Sequence, residues 1–285
     1  MTSSRLRLLL TVLVVLAAAE FVVRGPLRFA RHGTTRSTDF TGPYLGARAL
    51  VRGLNPYSSD VFWTMAEEVG WTDGRNDRDD DFESRSPYPL PTFVLMAPLA
   101  PFGWQPARLI GTVVMAALVV ASLLALSTLE GLRNAGPSRL AFIAFGLALA
   151  PVHSGLGAGN LAAAAVPFSL LGVWAMGLDR HTAAGVCLGL AACIKPPIAA
   201  PLLGYALFRG RWRVVMTAVG VVVTLVGVGA VQLLGRPWLS GYIANNSLLL
   251  ADSGTAVVKW SEAQQQFINV HYLGYLLFED PRVIN

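Results

Sequence analysis

Apolar residues in this chain are gathered into long blocks rather than alternating or recurring once per helical turn. The blocks are Leu6–Val23, Ala107–Leu129, Leu140–Val152, Leu161–Leu178, Thr182–Phe208 and Trp212–Leu234. A helix in lipid satisfies its own backbone hydrogen bonds, and about 20 apolar residues cover the hydrocarbon core, so such blocks predict membrane-spanning or membrane-entering helices. Leu140–Val152 is short for a full span, and Pro151 ends it early. Thr182–Phe208 carries Lys195-Pro196-Pro197 at its midpoint. A charge at mid-bilayer is costly and two prolines remove two backbone donors, so a single straight helix is a poor reading. Two half-helices turning at Lys195, each of about 13 residues and roughly 20 Å, fit better. Leu6–Val23 follows Arg5 and Arg7 as a signal-peptide core would. It runs to Val23 without a small-residue cleavage pattern, and further blocks follow, which predicts a retained first helix.

Charge placement favours the hairpin over the straight helix. With the N-terminus inside and 182–208 entering and leaving on one side, the short inner segments receive Arg5, Arg7, Arg133, Arg139, Arg180, Arg209, Arg211 and Arg213. The short outer segments receive only Lys195. That asymmetry follows the positive-inside rule, whereas one span through 182–208 would put Arg209, Arg211 and Arg213 outside. The stretch from Arg24 to Pro91 then lies outside, with nine Arg and ten Asp or Glu. Within it, Tyr44–Val51 predicts a short amphipathic helix on the membrane surface. The prolines at 87, 89, 91, 98 and 101 break 87–101 into pieces that re-enter the membrane without spanning it. The chain after Leu234 is again placed outside, through Asn245, Asn246 and His271 to Asn285.

Composition agrees. Hydrophobic residues are 54% of 285, charged residues 14%, and mean hydropathy is +0.52; a soluble domain needs roughly a quarter of its residues charged. The net charge of +5 sits at the ends of apolar blocks, without the basic-aromatic clusters that nucleic acid would require. Cys187 and Cys193 fall within one apolar block and read as packing residues. The expectation is an all-α integral membrane protein: one transmembrane domain over residues 1–285, with 24–106 as an extracytoplasmic loop within it.

Five places carry candidate chemistry. Asp39, 16 residues beyond the first apolar block and beside Phe40 and Tyr44, is a carboxylate at a membrane boundary. Partial desolvation raises its proton affinity, which suits a general base acting on a sugar hydroxyl; the plainer reading is a helix cap or a solvated loop charge. Lys195, at the tip of a broken helix, suits a phosphate, the alternative being a lysine that snorkels to the interface. His271 could donate to a phosphate, and Asn160, after the glycines of 155–159, caps a helix or lines a site. Asp79-Asp80-Asp81 invites a divalent cation, but adjacent carboxylates more often form a solvated turn, and no metal site is expected.

Taken together these stretches resemble the polyprenol-phosphate-mannose-dependent mannosyltransferases of glycosyltransferase family 87, built on the GT-C fold. The first stretch is Asp39-Phe40 with Tyr44, Ala47, Ala49-Leu50 and Gly53-Leu54-Asn55-Pro56-Tyr57. The second is Tyr88-Pro89 with Ala97-Pro98-Leu99 and Pro101-Phe102. The third is Gly157 to Asn160, and the fourth is Ala184-Gly185, Gly189-Leu190-Ala191 and Ile194-Lys195-Pro196. Ala158 departs from the family's usual Gln, and Leu90 interrupts its proline pair. Family chains are longer, so the resemblance makes this the N-terminal two-thirds of a longer fold.

The resemblance implies a GT-C-type polytopic helical bundle whose long first extracytoplasmic loop carries short interfacial helices. It implies inverting transfer of a hexose, mannose in the family, from a polyprenyl-phosphate donor to a glycolipid or glycan acceptor at the outer face of the plasma membrane. Asp39 is then the catalytic base. Lys195, His271, Tyr44, Asn160 and Tyr88 are the candidate residues for lipid phosphate or acceptor, and no cofactor or nucleotide is required. Two other classes remain open at this point. A transporter or flippase would also use helices broken near mid-membrane, and an inactive fragment or scaffold would need no site at all.

Overall fold

The computed structural model describes residues 3–31, 39–70, 86–129 and 136–256. Among them the chain is helical, without strands. The first apolar block forms α1 (Ser3–Arg24), which continues after Gly25 into α2 (Pro26–Arg31). A cap of short helices follows: α3 (Thr41–Val51), α4 (Ser59–Glu68) and α5 (Leu90–Met96), the last ending in a 3₁₀ turn over Ala97–Leu99. The bundle is completed by α6 (Trp104–Leu126), α7 (Gly136–Ala148), α8 (Ala150–Gly157), α9 (Ala162–Gly177), α10 (His181–Ile194), α11 (Pro196–Phe208) and α12 (Trp212–Gln232), with α13 (Trp238–Ala256) last.

Among the described residues, three helical stretches are long and apolar enough to cross a membrane: Ser4–Arg31, Trp104–Leu126 and Trp212–Gln232. The pair α7–α8 makes a fourth if counted as one span bent by 41°. The bend falls at Leu149, and Pro151, lacking an N–H, leaves the carbonyl of Leu147 without its helical partner. The exposed faces of α1 and α12 are lined by Leu and Val, as lipid-facing helices require, while α6 turns Arg108, Thr112, Met115 and Ser122 inward.

Lys195 breaks the fifth block, and neighbouring contacts fix the direction of each half. A Cβ at Gly185 would meet Val214 O and Thr217, and one at Gly189 would meet Ala218 and Val221. α10 and α12 therefore run parallel and in close contact, and α11 must return from the level of Lys195 to the level of Arg211. The expected hairpin is present. In sequence order α1, α6, α7–α8, α9, α10, α11 and α12 alternate in direction through the bundle.

Two ends result. At one, Arg7 lies near Gly136, Arg139 Nε donates to Ser127 Oγ (3.1 Å), Trp174 Nε1 to Thr128 Oγ1 (3.0 Å) and Arg211 Nη1 to Met176 O (3.0 Å). At the other lie the cap helices, Asn160, Lys195 and the end of α12, where Gln232 Nε2 donates to Val51 O (3.3 Å).

One expectation needs correction, and one element was not anticipated. α3 is a helix, but it does not lie on a surface: Thr41, Pro43, Tyr44, Leu45, Gly46, Ala47, Ala49 and Leu50 are all buried. Small residues on α3 let neighbours close over it, and Gly46 leaves the space that the Phe93 ring of α5 fills. The stretch after Leu234, for which the apolar pattern names no element, forms α13 over Trp238–Ala256. Its polar Asn245 and Asn246 mask the helical pattern because they bond backbone, Asn245 Nδ2 donating to Tyr57 O (3.3 Å) and Asn246 Nδ2 to Tyr242 O (2.9 Å).

Candidate active site

Asp39 stands in the turn that enters α3, and its backbone amide donates to Ala158 O (3.2 Å) at the end of α8. This close approach depends on Gly159. Its φ is +69°, in the left-handed region, and a Cβ there would lie 2.5 Å from the Phe29 ring and 3.0 Å from Phe40 Cβ. The next residue, Asn160, is oriented from both ends of its amide. Oδ1 accepts from the Ala162 amide (2.8 Å), capping α9, so Nδ2 is turned outward and donates to Asp39 Oδ2 (2.6 Å). The two readings of Asn160 are thus one geometry.

Lys195 and Tyr88 lie close enough to this carboxylate to interact with its charge through space. Crowding by protein pushes the Asp39 pKa above its ordinary value, while the positive charge of Lys195 and the Asn160 hydrogen bond pull it back. Asp39 remains accessible from one side. No ion pair joins it to Lys195 among the described residues, so the ammonium acts through space. The Tyr88 phenol has its pKa raised, first by burial and then by the Asp39 charge. Its proton therefore stays in place, and the group is a hydrogen-bond donor on this side of the carboxylate.

Tyr44 is not part of this group. It is wholly buried, stacked on Phe40 at 6.4 Å and packed on Trp104 at 5.4 Å, and its hydroxyl donates to Phe102 O (2.7 Å). It holds Phe40, and hence the turn bearing Asp39, against the start of α6. His271 and Asp79–Asp81 lie outside the described residues. Among the described residues no group of three or more His, Cys, Asp or Glu is placed to share a metal ion.

One supporting residue carried a signal that sequence reasoning left unused. Tyr57 closes the Gly53–Tyr57 stretch, stacks between Phe93 (5.4 Å) and Tyr242 (5.3 Å), and donates its hydroxyl to Tyr88 O (3.1 Å). It anchors the backbone that presents the Tyr88 phenol.

A solvent-accessible carboxylate, a lysine at the tip of a broken helix, an amide and a phenol lie at the same end of the bundle. The described residues thus form an all-α membrane bundle whose interacting polar groups collect at one end. Residues 87–280 match glycosyltransferase family 87. The chain belongs to that family and is a glycosyltransferase. The matched stretch contains Tyr88, Asn160, Lys195 and His271, whereas Asp39 and Tyr44 precede it. No curated protein and no solved structure matches the chain.

Proposed function

We propose that the chain transfers a hexose, mannose by its resemblance, from a polyprenyl phosphate to a glycolipid or glycan acceptor at the outer face of the membrane, with inversion. The observation that carries this reading is the Asp39 carboxylate, held by Asn160 through one oxygen and raised in proton affinity, with the Lys195 charge nearby but not paired to it. In the proposed step Asp39 takes the proton of the acceptor hydroxyl as that oxygen bonds to the anomeric carbon. The bond from that carbon to the phosphate oxygen breaks on the opposite face, its electron pair leaving with the polyprenyl phosphate. Lys195 neutralises charge on the phosphate. A carboxylate of raised pKa is a stronger base for an alcohol proton, and a lipid phosphate is already a stable leaving anion.

The outer-face assignment is supported by the bundle's polarity. Arg7, Arg139, Arg180, Arg209, Arg211 and Arg213 gather at the end opposite Asp39, and short basic segments are retained on the cytoplasmic side. The deciding experiment incubates purified protein with labelled polyprenyl-phosphate mannose, the corresponding glucose donor and a nucleotide-linked mannose, and reads product anomer by NMR. Transfer from a lipid donor with inverted anomeric configuration is expected. Transfer from the nucleotide donor alone would overturn the proposal.

A further inference from the structure

The tip of the α10–α11 hairpin has a carbonyl that its own helices cannot satisfy. In a continuous helix the N–H of residue 197 would bond Cys193 O, but residue 197 is proline and has no N–H. Cys193 is buried, so water does not replace the missing donor. The replacement comes from another element: Thr92 Oγ1 on α5 donates to Cys193 O at 2.7 Å, across 101 residues of sequence. Thr92 is itself completely buried. Valine would fill the same volume, so packing alone does not call for a hydroxyl here.

The position of this bond gives it a consequence for the site. Cys193 lies two residues before Lys195, and Thr92 lies four residues after Tyr88 on the short helix that Tyr88 and Pro89 lead into. A single hydrogen bond thus ties the element carrying Tyr88 to the element carrying Lys195, the two groups whose electrostatic influence reaches Asp39.

We propose that Thr92 is a positioning residue, which holds the hairpin tip so that the Lys195 charge faces Asp39. This rests on the reading of Asp39 as base and Lys195 as its cationic partner. The groups that face Asp39 among the described residues are Lys195, Tyr88 and Asn160, so displacement of Lys195 removes the cationic one and raises the proton affinity of the carboxylate further.

The test uses two readouts on the purified full chain, in Thr92→Val, Thr92→Ala, Thr92→Ser and Asp39→Asn. Lys195 and Lys259 are the only lysines, so acylation by an amine reagent followed by peptide mass spectrometry reports Lys195 separately, with Lys259 as internal reference. Thr92→Val is expected to raise Lys195 acylation about tenfold, the factor for leaving a buried acceptor unpaired. It should also move the acid limb of the pH–rate profile to higher pH, because the Lys195 charge that lowers the Asp39 pKa is displaced. Thr92→Ser, which keeps the hydroxyl, should restore both. Wild-type acylation and an unmoved acid limb in Thr92→Val, or in Thr92→Ala if the valine variant does not fold, would overturn the proposal and leave Thr92 a packing residue. Asp39→Asn separates the two levels. If it keeps wild-type turnover the base reading fails, while the acylation comparison still reports on Thr92.

Discussion

The basic end of the bundle and the end that holds Asp39 are stitched together in different ways. At the basic end the side-chain contacts close turns between successive or nearby helices: Arg139 to Ser127 spans 12 residues, Arg211 to Met176 spans 35 and Trp174 to Thr128 spans 46. At the site end they reach across the chain: Asn160 to Asp39 spans 121 residues, Thr92 to Cys193 spans 101 and Asn245 to Tyr57 spans 188. Charge differs as well. Several arginines of the site end are paired, Arg24 with Glu20 at 3.2 Å and Arg48 and Arg52 both with Glu68, whereas the arginines of the basic end bond hydroxyl and carbonyl oxygens in the contacts above. An end built from near neighbours follows from helix order and loop length. An end built from distant partners can hold several functional groups around one point, because each arrives on a different element.

Breaking that convergence at its centre should have the largest effect. Asp39→Asn preserves shape and removes the base; turnover should fall about 10²–10⁴-fold with donor KM nearly unchanged, measured by steady-state transfer from labelled lipid donor. Wild-type turnover would exclude Asp39 as base. Lys195→Met should come next, raising donor KM by roughly tenfold to a hundredfold, the value of a lost hydrogen bond to a charged group. If donor use is unchanged, Lys195 only snorkels to the interface.

Asn160→Ala sharpens the comparison through pH. The base must be deprotonated to act, so the wild-type rate should fall as pH drops through a pKa above the ordinary carboxylate value. Loss of the Asn160 donor removes one of the two interactions that lower this pKa, so the acid limb should move to higher pH while the plateau rate changes less. An acid limb that moves to lower pH would contradict the geometry. The smallest perturbation tests which end is which. Cysteines placed at Ser240, near the site, and at Gly136, at the basic end, should leave activity near wild type; a membrane-impermeant maleimide on intact cells should label the first and not the second. The reverse pattern would put the site on the cytoplasmic side.

Much of this was legible before any coordinates. The apolar blocks, the break at Lys195 and the return of α11 follow from local rules: lipid demands internally bonded helices, proline removes donors, and arginines avoid translocation. Asp39, Asn160 and Lys195 are recognisable as chemistry-bearing residues beside a helix end or a break, whereas Tyr88 is marked only by the family resemblance. α13 was not, because its asparagines look like loop residues until Tyr57 O and Tyr242 O are seen to receive them.

Tertiary structure alone decided which of those residues meet. By resemblance Tyr44 is as suitable as Tyr88, yet Tyr44 is sealed between Phe40 and Trp104 while Tyr88 lies within electrostatic reach of the carboxylate. Pro197 announces an unpaired carbonyl at Cys193, but nothing nearby in the chain names Thr92 as its partner. The physical reason is one of range. Backbone hydrogen bonding and partition into lipid act on a residue through its immediate neighbours, so they can be read locally. A side-chain donor and its acceptor are matched only after helices distant in sequence have packed, and packing depends on close approaches such as Gly159 against Phe29 and Gly46 against Phe93.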